Sequence, residues 1–567
     1  MNFIDKIWKS KLWLLITVGA IVLVNWLASV YHTRVDLTNE KRFTLSSSTK
    51  KILKQLDDVV EIKIFLKGTT NSGFTKLAKS TEELLHEFKE VTGSNFRYKF
   101  IDPDDIVDGS SVTYADTLLS MGVAPLIVNA QIKSGEQQLR IFPVAMLNYA
   151  DKINLVSLYE GNSVDLKASE INSAEAMLEY TFIRAIAQFK RNIKPIIAYS
   201  VGNGEAVGPE TFDMQGLLQY NDTLFTLNLN KVKFISDTFK VLMIVKPTIP
   251  FSDDEKLKID QYVMRGGKLL MFIDKLNAEV DSITANSQIV AYDRELGLND
   301  ILFKYGVRIN SDLVMDLQCD RYPIDLNNNG QYALLKWNYF PLFQTKPTHV
   351  INKNLGIVSG RFVNSIDTVE ADGIKKTVIL SSSVNARKIS TPALITVDEN
   401  RQEPVNDKFK TANIPVAVLL EGKFSSMFKN RLSQAMTDSL ENYGQLFQSQ
   451  GINDNKIIVV SDGDIVLNNF YEQKPLPMGV NPYSMIKDKQ VFPVANSSFL
   501  ENCIEYLINE NGMMDAKAKD YTLRFLDPVK IEEEKTFWQL LNIAAPVFIV
   551  ILFAFIFQWV RKRKYRV

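Results

Sequence analysis

Five side chains in this chain of 567 residues have types and placements that could do chemistry. Asn203 and Glu205 stand in GNGE, Asp274 closes LLMFID, and Asp462 and Asp464 bracket a glycine in SDGD. Carboxylates and an amide gathered in one place could hold a hard cation, accept hydrogen bonds from a polar ligand, or divide acid and base roles. Each group follows a run of four to six apolar residues, in KPIIAYS, GGKLLMFID and KIIVVSDGD; a fourth run, KVLMIVKP, ends in Lys246 and Pro247. Unbroken apolar runs suit strands covered on both faces by helices, so they predict a parallel sheet. Open parallel sheets bind ligands beyond the carboxyl ends of their strands. If these strands are neighbours, a crevice there gathers Asn203, Glu205, Asp274, Asp462 and Asp464 as a site for a polar ligand or a cation. The competing reading is turn chemistry, because glycine permits positive φ and Asp or Asn stabilise tight turns.

Other chemistries are excluded by what the sequence lacks. No G-x-x-x-x-G-K-[ST] occurs, and MRGGKLL has neither its spacing nor a strand before it. GNGE lacks the third glycine of a dinucleotide fingerprint. The three histidines, His32, His86 and His349, are scattered, which argues against a zinc site or a Ser-His-Asp set. There is no G-x-S-x-G and no C-x-x-C. Cys319 and Cys503 read as two unrelated buried thiols, Cys503 within the helical pattern FLENCIEYLI. With 65 basic and 65 acidic residues, the balance gives no sign of nucleic acid as a partner. No cofactor or metal is expected.

Around these residues the sequence reads as two α/β regions. Between the second and third apolar runs, SDDEKLKIDQYVMRGG offers Ser252 as an N-cap, acids in the first turn and glycines as a stop, hence a crossover helix. Residues 192–510 form this parallel-sheet region, with insertions over 275–410 that include the polar NNNG at 327–330 and a loop-rich stretch around Trp337–Pro347. Residues 31–191 form the membrane-proximal region. There a short helix after Ser46–Ser48 precedes the strand VVEIKIFL, a helix with Leu77, Leu84, Leu85 and Phe88 on one face, and the strand FRYKFID. Two more strands are expected near 124–130 and 138–144, then a long helix over 171–191. That order suits a thioredoxin-like layer. Residues 511–536 read as a polar stalk.

Both ends read as membrane spans. IAAPVFIVILFAFIFQWV, residues 543–560, carries no charge and Trp538 and Trp559 flank it. A helix of this length, rising about 1.5 Å per residue, crosses a hydrocarbon core of roughly 30 Å. With its lead-in it occupies 537–560, and the tail 561–567 carries Arg561, Lys562, Arg563, Lys564 and Arg566. Residues 12–30 hold the uncharged LWLLITVGAIVLVNWLASV, after an 11-residue start with Lys6, Lys9 and Lys11. Basic residues lie on both sides of this first span, since Arg34, Lys41 and Arg42 follow it, so the five in the tail decide the orientation. Two spans then leave both termini cytoplasmic and everything between them on the far side.

RVDLTNEKRFTLS, YSVGNGE, LKIDQYVMRGGKLLMFID, VVSDGD and FWQLLNIAAPVFIVILFAFIFQWVRKRKYR occur in that order between and around the two spans. In this the chain resembles the GldG family, gliding-motility auxiliary components of an ABC transporter in Bacteroidetes, over essentially its full length. The resemblance implies partnership with an ABC ATPase subunit and a multi-span ABC permease in a bacterial inner membrane, a periplasmic domain, and a tie to gliding and to secretion machinery. It also implies a middle domain similar to class I glutamine amidotransferases; their catalytic cysteine has no counterpart at Ser200–Glu205. Three functions follow for testing. The first is a non-catalytic accessory subunit that gives a permease its extracytoplasmic domain. The second is a structural scaffold without a transport role. The third is a membrane-anchored enzyme on envelope glycan or peptide, with Glu205, Asp462 and Asp464 as its candidates.

Overall fold

Ser46 starts the first layer by accepting a hydrogen bond from the Thr49 amide, which caps α1 (Ser47–Lys54) in this computed structural model. The structure describes residues 18–26, 44–68, 71–132, 135–159, 168–190, 194–325, 331–345, 348–397, 399, 406–433, 437–438, 440, 444–486, 489–490, 494–508, 512–517 and 528–564. Strand β1 (Val60–Ile64) follows, with Val60, Ile62 and Ile64 buried in strict alternation. Helix α2 (Ser72–Thr92) begins at Asn71, whose side chain accepts from the Gly73 and Phe74 amides, and stops at Gly93, φ 66°. It buries Leu77, Leu85 and Phe88, with Leu84 half-buried on the same core.

Then come β2 (Phe96–Phe100), β3 (Val144–Tyr149), β4 (Lys152–Ser157) and α3 (Ala168–Lys190), giving a sheet ordered β2-β1-β3-β4. β1 and β2 run parallel; β3 and β4 are antiparallel additions. The strands expected near 124–130 and 138–144 do form, as Leu126–Ile132 and Gly135–Ile141. They pair only with each other, outside this sheet. VAMLNY, directly after Pro143, supplies the third strand instead because it buries four consecutive side chains.

The second layer carries the apolar runs. Its strands and helices are β5 (Ile196–Val201), α4 (Phe212–Asn221), β6 (Thr223–Asn228), β7 (Phe239–Val245), α5 (Asp253–Met264), β8 (Lys268–Phe272), α6 (Asn299–Tyr305), β9 (Ile374–Ser381), β10 (Pro415–Gly422), β11 (Asn455–Val460) and α7 (Asn496–Ile508). The sheet order is β9-β10-β11-β8-β7-β5-β6. From β11 to β6 all neighbours are parallel, and β10 opposes both of its own. Along β7, Val241, Met243 and Val245 enter one core while Leu242 and Ile244 enter a second core on the opposite face. All five are fully buried, which is why the run has no polar alternation. Helix α5 is the expected crossover, closed by a reciprocal capping box between Ser252 and Glu255. Of the 275–410 insertion, β9 joins the main sheet at its edge, and most of the remaining strands form small antiparallel sheets around Trp337, Tyr322, Phe340 and Phe362. The stretch around Trp337 expected to be loop is instead the strand Tyr332–Gln344, and the NNNG stretch lies outside the described residues.

The chain through Asp520 forms one compact unit, and Tyr521–Val567 a second. Inside the first unit, Arg184 of α3 pairs with Glu501 of α7 at 2.5 Å and with Glu505 at 3.6 Å, tying the two layers together. Met513, Met514 and Ala516, in the stretch expected to be a polar stalk, are buried in the first layer's core. In the second unit, α8 (Pro528–Lys564) contains one stretch, Thr536–Arg563, long and apolar enough to cross a membrane. At the other end, residues 18–26 of the expected first span are helical and exposed; the rest of 12–30 lies outside the described residues, as do Lys6, Lys9, Lys11, Arg34, Lys41, Arg42 and Arg566.

Candidate functional site: a charge cluster at the strand ends

β5 ends in the GNGE turn. Gly202 and Gly204 take φ of 120° and 71°, and a Cβ on Gly204 would stand 2.1 Å from Thr248 Oγ1, so a side chain there collides with the neighbouring strand's exit. The Asn203 carbonyl accepts from the Thr248 and Ile249 amides at 2.9 and 2.8 Å, fixing this turn to the one after β7. Glu205 turns back on its own loop, where Ser200 Oγ donates to it at 2.8 Å and the Asn203 amide at 2.7 Å. Asn203 Nδ2 donates to the Pro250 carbonyl at 3.3 Å. Its Oδ1 is buried without a hydrogen-bond partner.

The aspartates meet one strand further on, around a lysine. Lys246 leaves β7 with φ 48°, uncommon for a residue with a side chain. Its Nζ lies 2.6 Å from Asp464 Oδ1, 2.9 Å from Glu279 Oε2 and 3.3 Å from Asp274 Oδ2. Burial alone would lower its pKa, but Asp464, Asp274 and Glu279 together raise it well above the ordinary lysine range. Asp274 accepts from the Gly463 amide at 2.5 Å; burial pushes its carboxyl up to about 6, against the pull of Lys246. Asp462 accepts from the Asp464 amide at 2.8 Å and from the Arg361 amide at 2.7 Å. Burial, then Asp274 and Asp464, raise its pKa well above the carboxylate range.

Arg361 completes the cluster. Its Nη1 donates to Asn469 Oδ1 at 2.5 Å and its guanidinium lies 4.9 Å from the Phe340 ring centroid. Glu279 is shared, since Arg294 Nη2 holds its other oxygen at 2.7 Å.

The structure therefore brings Asp274, Asp462 and Asp464 together, whereas the contacts of Asn203 and Glu205 stay within their own turn and its neighbour. Sequence reasoning left out Glu279 and Arg361. Glu279 stands five residues after Asp274, near enough to have been suspected. Arg361 arrives from the insertion, with no local signal for its destination. Chemically, the position between three carboxylates that a cation would take is filled by the Lys246 ammonium. Among the described residues no group of three or more His, Cys, Asp or Glu is arranged to hold a metal ion. His86 pairs with Glu90 at 3.4 Å, and His349 accepts from the Ile351 amide at 3.3 Å, far apart in sequence. Cys319 and Cys503 are free and buried, as expected, and desolvation raises both thiol pKa values, that of Cys319 to about 12. Neither suits a nucleophile.

A domain of unknown function matches residues 39–148. An uncharacterized protein of Borreliella burgdorferi is 18% identical over 417 residues, covering 72% of this chain and 76% of that one. Among solved structures, the mmIFT52 N-terminal domain is 14% identical with a TM-score of 0.31, covering 55% of this chain and 96% of that domain. The exo-beta-1,4-mannosidase Op5Man5 from Opitutaceae bacterium strain TAV5 is 8% identical with a TM-score of 0.19, covering 86% of this chain and 57% of that one. Neither structural likeness is close enough to carry an argument. The parallel-sheet layer and its insertions, residues 194–503, match the description of an ABC-type uncharacterized transport system, and the chain belongs to that family of transport auxiliaries.

Proposed function

We propose that the chain is a non-catalytic accessory subunit that gives an ABC permease an extracytoplasmic domain, held by a span at each end in an inner membrane, with both termini cytoplasmic. The observation that carries this reading is the family match over 194–503, joined to the apolar helix Thr536–Arg563 and its basic end. The partners are an ABC ATPase subunit and a multi-span permease embedded in the same lipid bilayer. The link to gliding motility and to secretion components rests on the resemblance alone. The sheet order β2-β1-β3-β4 supports a thioredoxin-like first layer, and the five parallel strands are compatible with an amidotransferase-like second layer.

The absence of catalysis is supported by the cluster's chemistry. Asp464 and Asp274 are both paired with Lys246, Glu205 accepts from its own turn, and the cysteines are buried. A charged group so engaged is a poor acid, base or nucleophile. The test is purification of the tagged chain from native membranes in mild detergent. Recovery of an ATPase and a permease is expected; recovery with motor or secretion components and no ATPase would leave the scaffold reading in its place.

A further inference from the structure

A groove of about 910 Å³ opens beside α6, next to the charge cluster through Lys275, the residue after Asp274. Lys275, Lys304, Arg308, Lys429 and Arg431 line it against one acid, Asp300. Asp300 is held by Lys256 at 2.9 Å, Lys275 by Asp293 at 2.8 Å and Arg308 by Asp367 at 2.7 Å. The side chains of Lys304, Lys429 and Arg431 have no partner among the described residues. Three uncompensated cations on one concave surface repel one another and focus a positive potential into it.

The walls are rigid. Buried Asp260 of α5 accepts from Ser426 Oγ at 2.6 Å, the Met427 amide at 3.0 Å and Tyr305 Oη at 3.0 Å, which fastens the 426–431 segment to α6. The floor is apolar, with Ile309 and Met427 buried and Phe303 54% exposed at the rim. The volume lies within the range of small-molecule sites, roughly 300–1,000 Å³.

We propose that this groove binds a phosphate-bearing organic ligand, its body on Phe303, Ile309 and Met427 and its phosphates facing Lys304, Lys429 and Arg431. Phosphate fits better than a single carboxylate because two lysines act as separate point charges, and a phosphate offers more charge and more acceptor oxygens to share among them. This site does not depend on the accessory-subunit reading.

The test titrates the full chain, in detergent of neutral headgroup, with tripolyphosphate and separately with phosphatidylglycerol against phosphatidylcholine. The chain is compared with the K304E/K429E/R431E variant and with a K231E/K474E control, whose exposed lysines do not line the groove. Tripolyphosphate binding that weakens at least tenfold in the triple variant, steepens at low salt and is unchanged in the control assigns the groove to soluble phosphate ligands. The same dependence seen only with phosphatidylglycerol assigns it to a lipid headgroup. Binding to neither probe, or equal binding by wild type and a triple variant that keeps its melting temperature, overturns the proposal.

Discussion

The Lys246 ammonium lies 2.6 Å from the Asp464 carboxylate, although 218 residues separate them in sequence. The pair joins the ends of β7 and β11 across the intervening β8, so it reports that the sheet has assembled. Lys246 also faces Asp274 and Glu279. Replacing it leaves buried carboxylates without their cation, which costs about 3–5 kcal/mol. Lys246→Ala is therefore expected to lose that much stability in urea unfolding, and adding Asp464→Asn to recover part of it. Additive losses would show that the two residues do not interact.

The raised carboxyl of Asp274 gives a pH signature. Its pKa is about 6 when folded against 3.8 ordinarily, so between those values the folded state binds the proton more tightly. Stability from this group is greatest below about pH 4 and falls as pH rises through 6, by roughly 3 kcal/mol at most. Lys246, Asp464, Glu279 and Asp462 are the charged and titratable groups that face it. Melting temperatures of wild type and Asp274→Asn measured from pH 4.5 to 7.5 should converge at the acid end, with wild type losing more towards neutrality. Parallel curves would contradict the assignment.

Two glycines separate crowding from backbone strain. Gly204, φ 71°, has Thr248 Oγ1 2.1 Å from where a Cβ would stand; Gly208, φ 88°, has open space. Gly208, with ψ −150°, stands in a region that is essentially glycine's alone, so Gly208→Ala should cost on the order of 1–3 kcal/mol from backbone strain alone. Gly204→Ala must add the displacement of Thr248, and its unfolding midpoint should lie well below that of Gly208→Ala.

Glu205 distinguishes a structural from a catalytic role. Ala at this position removes the acceptors for Ser200 Oγ and the Asn203 amide, an expected loss of about 2–3 kcal/mol. Gln keeps one acceptor oxygen and should lose less than half of that. If Glu205 moved protons, Glu205→Gln would keep the fold yet abolish function as fully as Ala; the account expects Gln to behave close to wild type.

The parallel sheet was legible because both of its faces are buried, and that condition writes itself as the unbroken runs VLMIV and IIVVS. The crossover helix was legible from Ser252, its acids and its glycine stop, all local signals. The convergence of Asp274, Asp462 and Asp464 followed once those strands were taken as neighbours. What stayed hidden depends on long-range pairing. Arg361 reaches the cluster from an insertion whose path no local pattern encodes. The third and fourth strands of the first layer were missed because Lys152–Ser157 is half polar, while Leu126–Ile132 alternates as convincingly and pairs elsewhere. Likewise, Met513 and Met514 sit in a short polar stretch whose apolar minority finds a core only when α3 is beside it.

The most direct measurement is ATP turnover by the native-membrane complex, assembled with the full chain and with the chain omitted, the ATPase and permease held constant. An accessory subunit predicts that the chain co-elutes with both and that turnover changes severalfold when it is added back. Turnover indifferent to the chain, with no co-elution, would contradict the account.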